Sequence, residues 1–483
     1  MSFAAPLFLW YFLPAVLLAH WILPVRFRNA IIAVFSIAFY AVGGKEFVLL
    51  LLTMMVVNYA AGLAIGRARA ADRTRGLTSP KGILVATVAG DLAVLAIWKY
   101  LGFASVAIDQ LGRALGGSGS PVIELALPIG ISFFTFHHLS YVVDVYRGTR
   151  TPMRNPLTFA TYIAMFPQLI AGPIVRYHEI ADQLRNQHHD RWGDFVEGFP
   201  RFAWGLFKKV VIADSLATVA DTAFATSDPT FTTAWVGALA YTGQIYFDFS
   251  GYSDMAIGLG MMFGLRLPEN FRRPYSADSV TDFWRRWHMS LSRWFRDYLY
   301  IPLGGNRGGR TATYRNLSIV FLATGLWHGA AWTFVLWGAY HGALLIFERA
   351  TGLAKVEGYV MVRRAVTFVL VVFGWVLFRA ADLDEFTKMA GAMLVPDGLT
   401  LPALGLAPEL LTSTAPHEWV LLAVVPMLVL LPGTFVMGRV IDGLDGTSPR
   451  RQLTARLVAL CSSPYAALAA VAGGFSPFLY FQF

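Results

Sequence analysis

The chain has 483 residues, of which 56% are hydrophobic and only 14% are charged. Soluble domains carry roughly 25% charged residues, so this composition excludes an ordinary soluble enzyme and indicates a polytopic membrane protein. The formal net charge is +9, but the basic clusters alternate with apolar stretches, which argues against nucleic-acid binding and marks cytoplasmic loops.

Apolar stretches recur along the whole chain. The clearest are Ala4 to Val25, Ala30 to Gly44, Phe47 to Gly66, Ile83 to Trp98, Leu157 to Val175, Ala365 to Phe378, Trp419 to Gly438 and Leu457 to Phe483. Others, such as Thr233 to Gly264, are broken by one or two acids. We therefore predict an all-α, multi-pass protein with about ten to twelve spans and a single membrane domain over residues 1–483. The first stretch is too long for the apolar region of a signal peptide, so we do not expect it to be cleaved.

Residues 276–300 follow a different pattern. Aromatic and aliphatic side chains recur at steps of three and four, while the arginines lie off that stripe. The stripe comprises Trp284, Trp287, Leu291, Trp294 and Tyr298, and the arginines are Arg285, Arg286, Arg293 and Arg296. This pattern predicts one amphipathic helix on the cytoplasmic side, capped by Ser279 with Asp282 and followed by Pro302. It would lie at the membrane interface or close the mouth of a cavity, and would not span the membrane.

The stretch GLWHGAAWTFVLWGAYHG, residues 325–342, places a histidine in an uncharged run. No Asp, Glu, Lys or Arg occurs from Leu317 to Phe347, a run long enough to cross a bilayer core. An ionisable side chain at membrane depth raises the possibility of a functional role for His328, as a general base, and position alone leaves open a structural hydrogen bond to a neighbouring carbonyl. The small residues Gly325 and Gly329 would let a neighbouring helix or a narrow substrate come close.

Other ionisable residues leave both functional and structural readings open. His288, on the basic helix, could be an ordinary interfacial residue, and the nearby arginines could bind cosubstrate phosphates or only mark the inner face. For His341, a role in packing is the expected one. The intramembrane charges Asp144, Arg147, Asp248 and Asp254 could line a cavity or form buried pairs. The pairs His137–His138 and His188–His189 lack zinc spacing, so we expect no metal site there. The one cysteine, Cys461, excludes an internal disulfide and any multi-cysteine metal site.

The motifs taken together resemble the membrane-bound O-acyltransferase family, in its bacterial branch typified by alginate O-acetylation. They are LPIGISFFTFHHLSYVVDVYRG (127–148), FPQLIAGPIVR (166–176), GLFKKVVIAD (205–214), YFDFSGYSDMAIGLG (246–260), the stretch from NFRRPYSADSV to IPLGGNR (270–307), GLWHGAAWTFVLWGAYHG (325–342), GWVLFRA (374–380) and FLYFQF (478–483). The resemblance is strongest over residues 127–483.

The resemblance implies a fold, an activity and two site residues. The fold would be a ring of tilted helices around a central tunnel. His328 matches the catalytic histidine of the family's W-H-G motif, and His288 matches the second functional histidine. Arg285, Arg286, Arg293, Arg296 and Trp287 would bind the cosubstrate, expected to be acetyl-CoA, with no tightly bound cofactor.

The expected activity is O-acetylation of an exopolysaccharide such as alginate, from the bacterial inner membrane. A periplasmic SGNH-type acetyltransferase or another polysaccharide-modifying protein would complete the transfer, and membrane lipids would surround the chain. Peptidoglycan or another envelope polymer is the alternative acceptor. The alternatives from other classes are a transporter or flippase, for which no inverted repeat is visible, and a non-catalytic scaffold.

Overall fold

The computed structural model describes residues 2–72, 75–117, 119–186, 190–394, 405–430, 449–472 and 478–479. These ranges form helices and no strand, which confirms the all-α prediction. The α-helices are α1 (Leu13–Ile22), α2 (Arg28–Gly44), α3 (Val48–Ala70), α4 (Pro80–Ala114), α5 (Ile131–Arg147), α6 (Pro156–Ala164), α7 (Phe166–Leu169), α8 (Tyr177–Arg185), α9 (Arg191–Phe207), α10 (Asp214–Ala225), α11 (Phe231–Met262), α12 (Val280–Arg286), α13 (Met289–Phe295), α14 (Gly309–His328), α15 (Trp332–Thr351), α16 (Val360–Arg379), α17 (Leu383–Leu394), α18 (Pro408–Ser413), α19 (Pro416–Leu422), α20 (Val424–Leu430) and α21 (Pro449–Ala472). Wider π-helical turns occur at Phe8–Phe12, Lys208–Ala213 and Arg296–Tyr300.

Three helical segments among the described residues are long and apolar enough to cross a membrane. They are Val25–Ala70, Pro80–Ala114 and Val360–Arg379. The first has 46 residues and comprises α2 and α3, joined by a 3-10 turn at Lys45–Phe47. These segments agree with a multi-pass membrane protein. The predicted total of ten to twelve spans, their arrangement as a ring and the single membrane domain stay predictions.

The chain divides into two compact units. The first contains residues 1–199 and 256–268. Its core includes an aromatic cluster in which the rings of Phe12 and Phe39 lie 5.3 and 5.7 Å from that of Phe166. Helix α3 packs closely on α5, since a Cβ atom on Gly62 would lie 2.3 Å from the ring of Tyr141. Aromatic packing of this kind stabilises a helical core beyond its buried area.

The second unit contains residues 200–255 and 269–483. Helices α14 and α15 cross in close contact, because a Cβ atom on Gly325 would lie 2.3 Å from the carbonyl oxygen of Phe334. Gly338 is equally constrained, because a Cβ atom on it would lie 2.3 Å from the carbonyl oxygen of Phe321. The prediction that small residues beside His328 admit a close neighbour is therefore confirmed.

The sequence suggested that the uncharged run from Leu317 to Phe347 could form one membrane span. In the structure this run contains two helices with a break between them. Helix α14 ends at His328, and Gly329 and Ala331 adopt extended backbone before α15 begins at Trp332. The ring of Phe334 occupies the space that a side chain on Gly329 would need, with a carbon 2.1 Å from the position of its Cβ atom. The close approach of Phe334 therefore requires a glycine at the break, and the break leaves His328 at a helix end.

The prediction of one amphipathic helix over residues 276–300 is also wrong. Helix α12 ends at Arg286, Trp287 is extended, and His288 adopts the left-handed region at φ 42° before α13 begins. The predicted start and end are confirmed. Oγ of Ser279 accepts a hydrogen bond from the backbone N–H of Asp282, and the last helical residue is Tyr300, just before Pro302. A tertiary contact to Asn270 holds the break.

Candidate active site

His328 is buried among aromatic rings of the second unit. Only 5% of the residue is exposed to solvent. The ring centroids of Trp327, Trp337 and Phe378 lie 4.9, 5.0 and 5.1 Å from that of the imidazole, each edge to face. Edge-to-face contacts on several sides fix the orientation of the imidazole ring.

His328 also borders a small cavity. The lining residues are Ile245, Asp248, Phe249, Trp287, His328, Trp375, Phe378, Phe478 and Leu479. The volume is about 20 Å³, enough to hold roughly one water molecule. Two of the lining residues, Asp248 and His328, carry ionisable side chains. This cavity places a possible base and a carboxylate around the same small space.

Two contacts hold Asp248 in place. Its Oδ1 atom lies 2.8 Å from Nζ of Lys209, and the two side chains are only 2% and 5% exposed. Its Oδ2 atom accepts a hydrogen bond of 2.8 Å from the backbone N–H of Leu479. Lys209 also lies 2.6 Å from Oδ1 of Asp214. Asp248 therefore meets both alternatives left open by the sequence, since it lines a cavity and forms a buried pair.

A second buried ion pair lies further along α11. Nζ of Lys208 lies 2.5 Å from Oδ2 of Asp254. Arg201 contacts the other oxygen of Asp254 at 2.7 Å and also binds Glu269. The wide π-helical turn Lys208–Ala213 begins at these lysines, and such turns are frequent at functional sites. Neighbouring lysines thus serve two different carboxylates, and Asp254 is a buried pair without a place in the cavity lining.

His288 is fully buried, which the sequence pattern of an interfacial helix did not predict. Its Nδ1 atom lies 3.0 Å from Oδ1 of Asn270, which also accepts from the hydroxyl and backbone N–H of Ser290. The amide nitrogen of Asn270 donates to Oγ of Ser253, so its oxygen faces the imidazole. An amide oxygen only accepts, so Nδ1 of His288 carries the hydrogen.

The remaining ring nitrogen of His288 is available as an acceptor. Burial lowers the pKa of His288 to about 3, so the ring is neutral near pH 7. With the hydrogen on Nδ1, Nε2 carries the lone pair, and it has no hydrogen-bond partner among the described residues. His288 is therefore a fixed neutral acceptor.

Trp327 brings the two predicted histidines together. Its ring centroid lies 5.9 Å from that of His288 and 4.9 Å from that of His328. Phe249, which lines the cavity, contacts the imidazole of His288 edge to face at 4.6 Å. His288 is not itself in the cavity lining, but Trp287 is. Both histidines thus pack around one aromatic group at the edge of the cavity.

The four arginines proposed for the cosubstrate are not in the cavity lining. Arg286 pairs with Asp282 at 2.9 Å, Arg296 pairs with Asp297 at 2.7 Å, and Arg293 donates to the carbonyl oxygen of Glu269. Arg285 is exposed and has no polar partner among the described residues. Their role toward a cosubstrate stays a prediction.

The other ionisable residues singled out in the sequence have structural surroundings. His341 is buried against the rings of Trp284 and Trp337, at 5.1 and 4.9 Å, which confirms its reading as a packing residue. Asp144 accepts hydrogen bonds from the backbone and ring of His178. His137 and His138 lie buried on α5. The pair at 188–189 lies outside the described residues.

Sequence reasoning missed Asn270 and left Lys209 without a partner. Lys208 and Lys209 stand in an otherwise apolar segment, GLFKKVVIAD, and buried lysines require carboxylates, so the acids of YFDFSGYSD were the available signal. Asn270 gave no such signal, because its importance depends on the backbone turn at His288.

Comparison with known families identifies the class. The family model described as the membrane-bound O-acyltransferase family matches residues 123–378, just over half of the chain. The chain therefore belongs to the membrane-bound O-acyltransferase family, which confirms the resemblance found in its motifs. It is a multi-pass membrane O-acyltransferase.

Curated relatives narrow the comparison. The "Probable alginate O-acetylase AlgI" of Pseudomonas syringae is 47% identical over 394 residues, which are 81% of this chain and 75% of the relative. The protein of that name from Azotobacter vinelandii is 43% identical over the full length of both chains. The "Peptidoglycan O-acetyltransferase" of Helicobacter pylori is 36% identical over 83% of this chain and 81% of its own length.

Proposed function

We propose that this chain O-acetylates an exopolysaccharide such as alginate, with acetyl-CoA as the donor, from the bacterial inner membrane. The observation that carries the proposal is the cavity shared by His328 and Asp248. Support for the acceptor comes from relatives whose names are alginate O-acetylases and which cover most or all of this chain.

The chemistry follows from the two ionisable residues at the cavity. A neutral imidazole at His328 takes the proton of a hydroxyl while the hydroxyl oxygen attacks the acetyl carbonyl carbon. The bond from that carbon to the donor's sulfur breaks, and the leaving thiolate takes the proton from the imidazolium, which returns His328 to its neutral form. A general base typically contributes about a hundredfold to ten-thousandfold in rate. The carboxylate of Asp248 stabilises the imidazolium that forms, because attraction between opposite charges is strong away from water.

His288 acts as a positioning residue in this proposal. Its hydrogen bond to Asn270 and the indole of Trp327 connect it to the imidazole of His328. Arg285, exposed and without an internal partner among the described residues, is the guanidinium best placed to meet a phosphate of the donor. Arg286, Arg293 and Arg296 would have to give up internal contacts to do so.

A periplasmic partner, of the SGNH acetyltransferase type or another polysaccharide-modifying protein, would deliver the acetyl group to the polymer. The cavity at His328 has a volume of about 20 Å³, far below the roughly 300–1,000 Å³ of pockets that hold small molecules. A sugar of the polymer does not fit there without rearrangement. The acetyl thioester likewise requires the cavity to open, and we assign the transfer of the acetyl group onto the polymer to the partner.

A cell-envelope polymer is the second candidate acceptor. The observation that favours it is the 36% identity to a peptidoglycan O-acetyltransferase over most of both chains. Acetyl content of purified peptidoglycan and of exopolysaccharide, measured in the same cells, separates the two acceptors.

The experiment compares acetyl content of the native polymer in cells that express wild type, His328→Ala or His341→Ala at matched membrane levels. His341→Ala is the matched control, because it removes an equally buried imidazole that packs beside the cavity without lining it. His328→Ala should abolish acetylation of the polymer. His341→Ala should keep the wild-type level of acetylation per folded molecule. Wild-type acetylation in His328→Ala would refute the proposed chemistry.

A further inference from the structure

The first unit contains a groove at the end of α3 that the acyltransferase site does not use. Its volume is about 970 Å³. It is bounded by the last turns of α3, the segment 151–155, the first turn of α6 and the end of α8. Arg67, Arg154 and Arg185 contribute its charged lining, and we call it the arginine groove.

The three guanidinium groups are an excess of positive charge. No Asp or Glu lines the groove, and none of the three arginines forms an ion pair with a described residue. Arginines elsewhere in the unit do pair: Arg150 with Asp182, Arg176 with Glu179 and Arg266 with Glu197. The groove therefore concentrates uncompensated charge on one surface.

Internal contacts hold part of this surface in shape. Arg185 donates to the carbonyl oxygen and the hydroxyl of Thr151 and to the hydroxyl of Tyr177. The hydroxyl of Tyr59 donates to the carbonyl oxygen of Arg154 at 2.6 Å. Gly66 lets the loop approach α3, because a Cβ atom there would lie 2.7 Å from the ring of Pro152. The arginine-bearing loop is thus fixed against α3.

Leu63, Pro152 and Met153 give the lining of the groove an apolar part, which we call the apolar wall. Helix α3 has 23 residues, a length of about 35 Å at the rise of an α-helix. It belongs to a segment apolar enough to span a membrane, so its last turns lie at the level of the lipid headgroups. A groove there is charged where headgroups lie and apolar toward the hydrocarbon.

We propose that the arginine groove binds the phosphate of an anionic phospholipid, with the start of an acyl chain against the apolar wall. Guanidinium groups match phosphate oxygens in geometry and charge, and basic pockets between membrane helices bind acidic headgroups. A lipid suits the site better than free phosphate, because the volume and the apolar wall exceed what a small ion needs. The positive-inside rule explains arginines at this level, but not their convergence on one groove without a carboxylate.

The test is native mass spectrometry of the purified full chain, titrated with phosphatidylglycerol or phosphatidylcholine. The Arg67→Gln/Arg154→Gln double variant leaves the contacts of Arg185 in place, and the triple variant adds Arg185→Gln. The charge-matched control is Arg307→Gln/Arg310→Gln/Arg349→Gln, whose arginines are exposed in the other unit.

Wild type and the control should retain phosphatidylglycerol over phosphatidylcholine, whereas both groove variants should bind it about tenfold more weakly or worse. Circular dichroism checks that each variant is folded, and the double variant suffices if the triple does not fold. Equal binding by the groove and control variants would overturn the proposal. A further experiment adds inorganic pyrophosphate as a competitor. If micromolar pyrophosphate displaced the lipid fully, the natural ligand of the groove would be a soluble phosphate compound and not a lipid. The outcome does not depend on acyl transfer.

Discussion

The ammonium group of Lys209 lies 2.8 Å from Oδ1 of Asp248, and both side chains are almost fully buried. The pair keeps a carboxylate in the lining of the cavity that His328 borders. A buried charge is stable only when it is paired, and removal of one partner typically costs about 3–5 kcal/mol. The lysine therefore contributes to the fold and to the charge of the site together.

Lys209→Met should destabilise the protein by about 3–5 kcal/mol, because it leaves Asp248 buried without its cation. Thermal unfolding of the purified protein in detergent, followed by tryptophan fluorescence, measures the loss. The double variant Lys209→Met/Asp248→Asn removes the unpaired charge and should recover part of it. Losses that simply add in the double variant would show that the ion pair does not couple the two residues.

The crossing of α14 and α15 supports a second prediction. A side chain on Gly338 meets the carbonyl oxygen of Phe321, so Gly338→Val should force the helices apart and cost about 1–3 kcal/mol or more. Gly391 is the matched control, since no described atom outside its own helix backbone lies within 4 Å of a Cβ atom placed there. Gly391→Ala should be neutral or stabilising. The unfolding temperatures of both variants give the comparison, and equal temperatures would contradict a tight crossing.

The helical fold in a membrane and the importance of His328 could be predicted from the sequence. Composition and apolar periodicity predict helices in a membrane because burial of backbone polar groups in lipid leaves few other solutions. His328 stands out because an ionisable side chain in an uncharged run needs a reason to be there. Gly325 could be predicted from the sequence for a similar local reason, since small residues allow tight helix crossings.

The rest depends on contacts between residues far apart in the chain. The three-and-four spacing continues through His288, so it cannot reveal the break, which Asn270 stabilises from 18 positions away. The partner of Lys209 on α11 could be Asp248 or Asp254 by spacing alone, and the fold pairs Lys209 with Asp248 and Lys208 with Asp254. The apposition of Leu479 and Asp248 joins positions 231 residues apart. Sequence patterns do not encode such pairings directly.

Asn270→Ala should uncouple His288 from its fixed orientation. The substitution removes an acceptor shared by Nδ1 of His288 and by Ser290, and unsatisfied buried donors cost about 1–3 kcal/mol each. If His288 positions the site, acetyl transfer per folded molecule should fall by about tenfold or more, as it should in His288→Ala.

The check for Asn270→Ala is acetylation at a temperature where the variant is fully folded, compared with Asn316→Ala. Asn316 is an equally buried asparagine whose amide donates to the carbonyl oxygens of Leu303 and Gly305, away from the cavity lining. Loss of stability without loss of activity in Asn270→Ala would leave His288 with a purely structural role.

Asp248→Asn tests whether the carboxylate that lines the same cavity as His328 takes part in the reaction. The amide is nearly the same shape and its oxygen can still accept from Leu479, so packing is retained while the negative charge is lost. We expect acetyl transfer to fall by about tenfold to a thousandfold, because the imidazolium loses its counter-charge. Asp254→Asn is the control, since it removes a carboxylate from a buried pair outside the cavity lining. It should lower the unfolding temperature and leave acetylation per folded molecule unchanged. Equal losses of acetylation in both variants would mean that Asp248 acts through the ion-pair network and stability of the fold, not through His328.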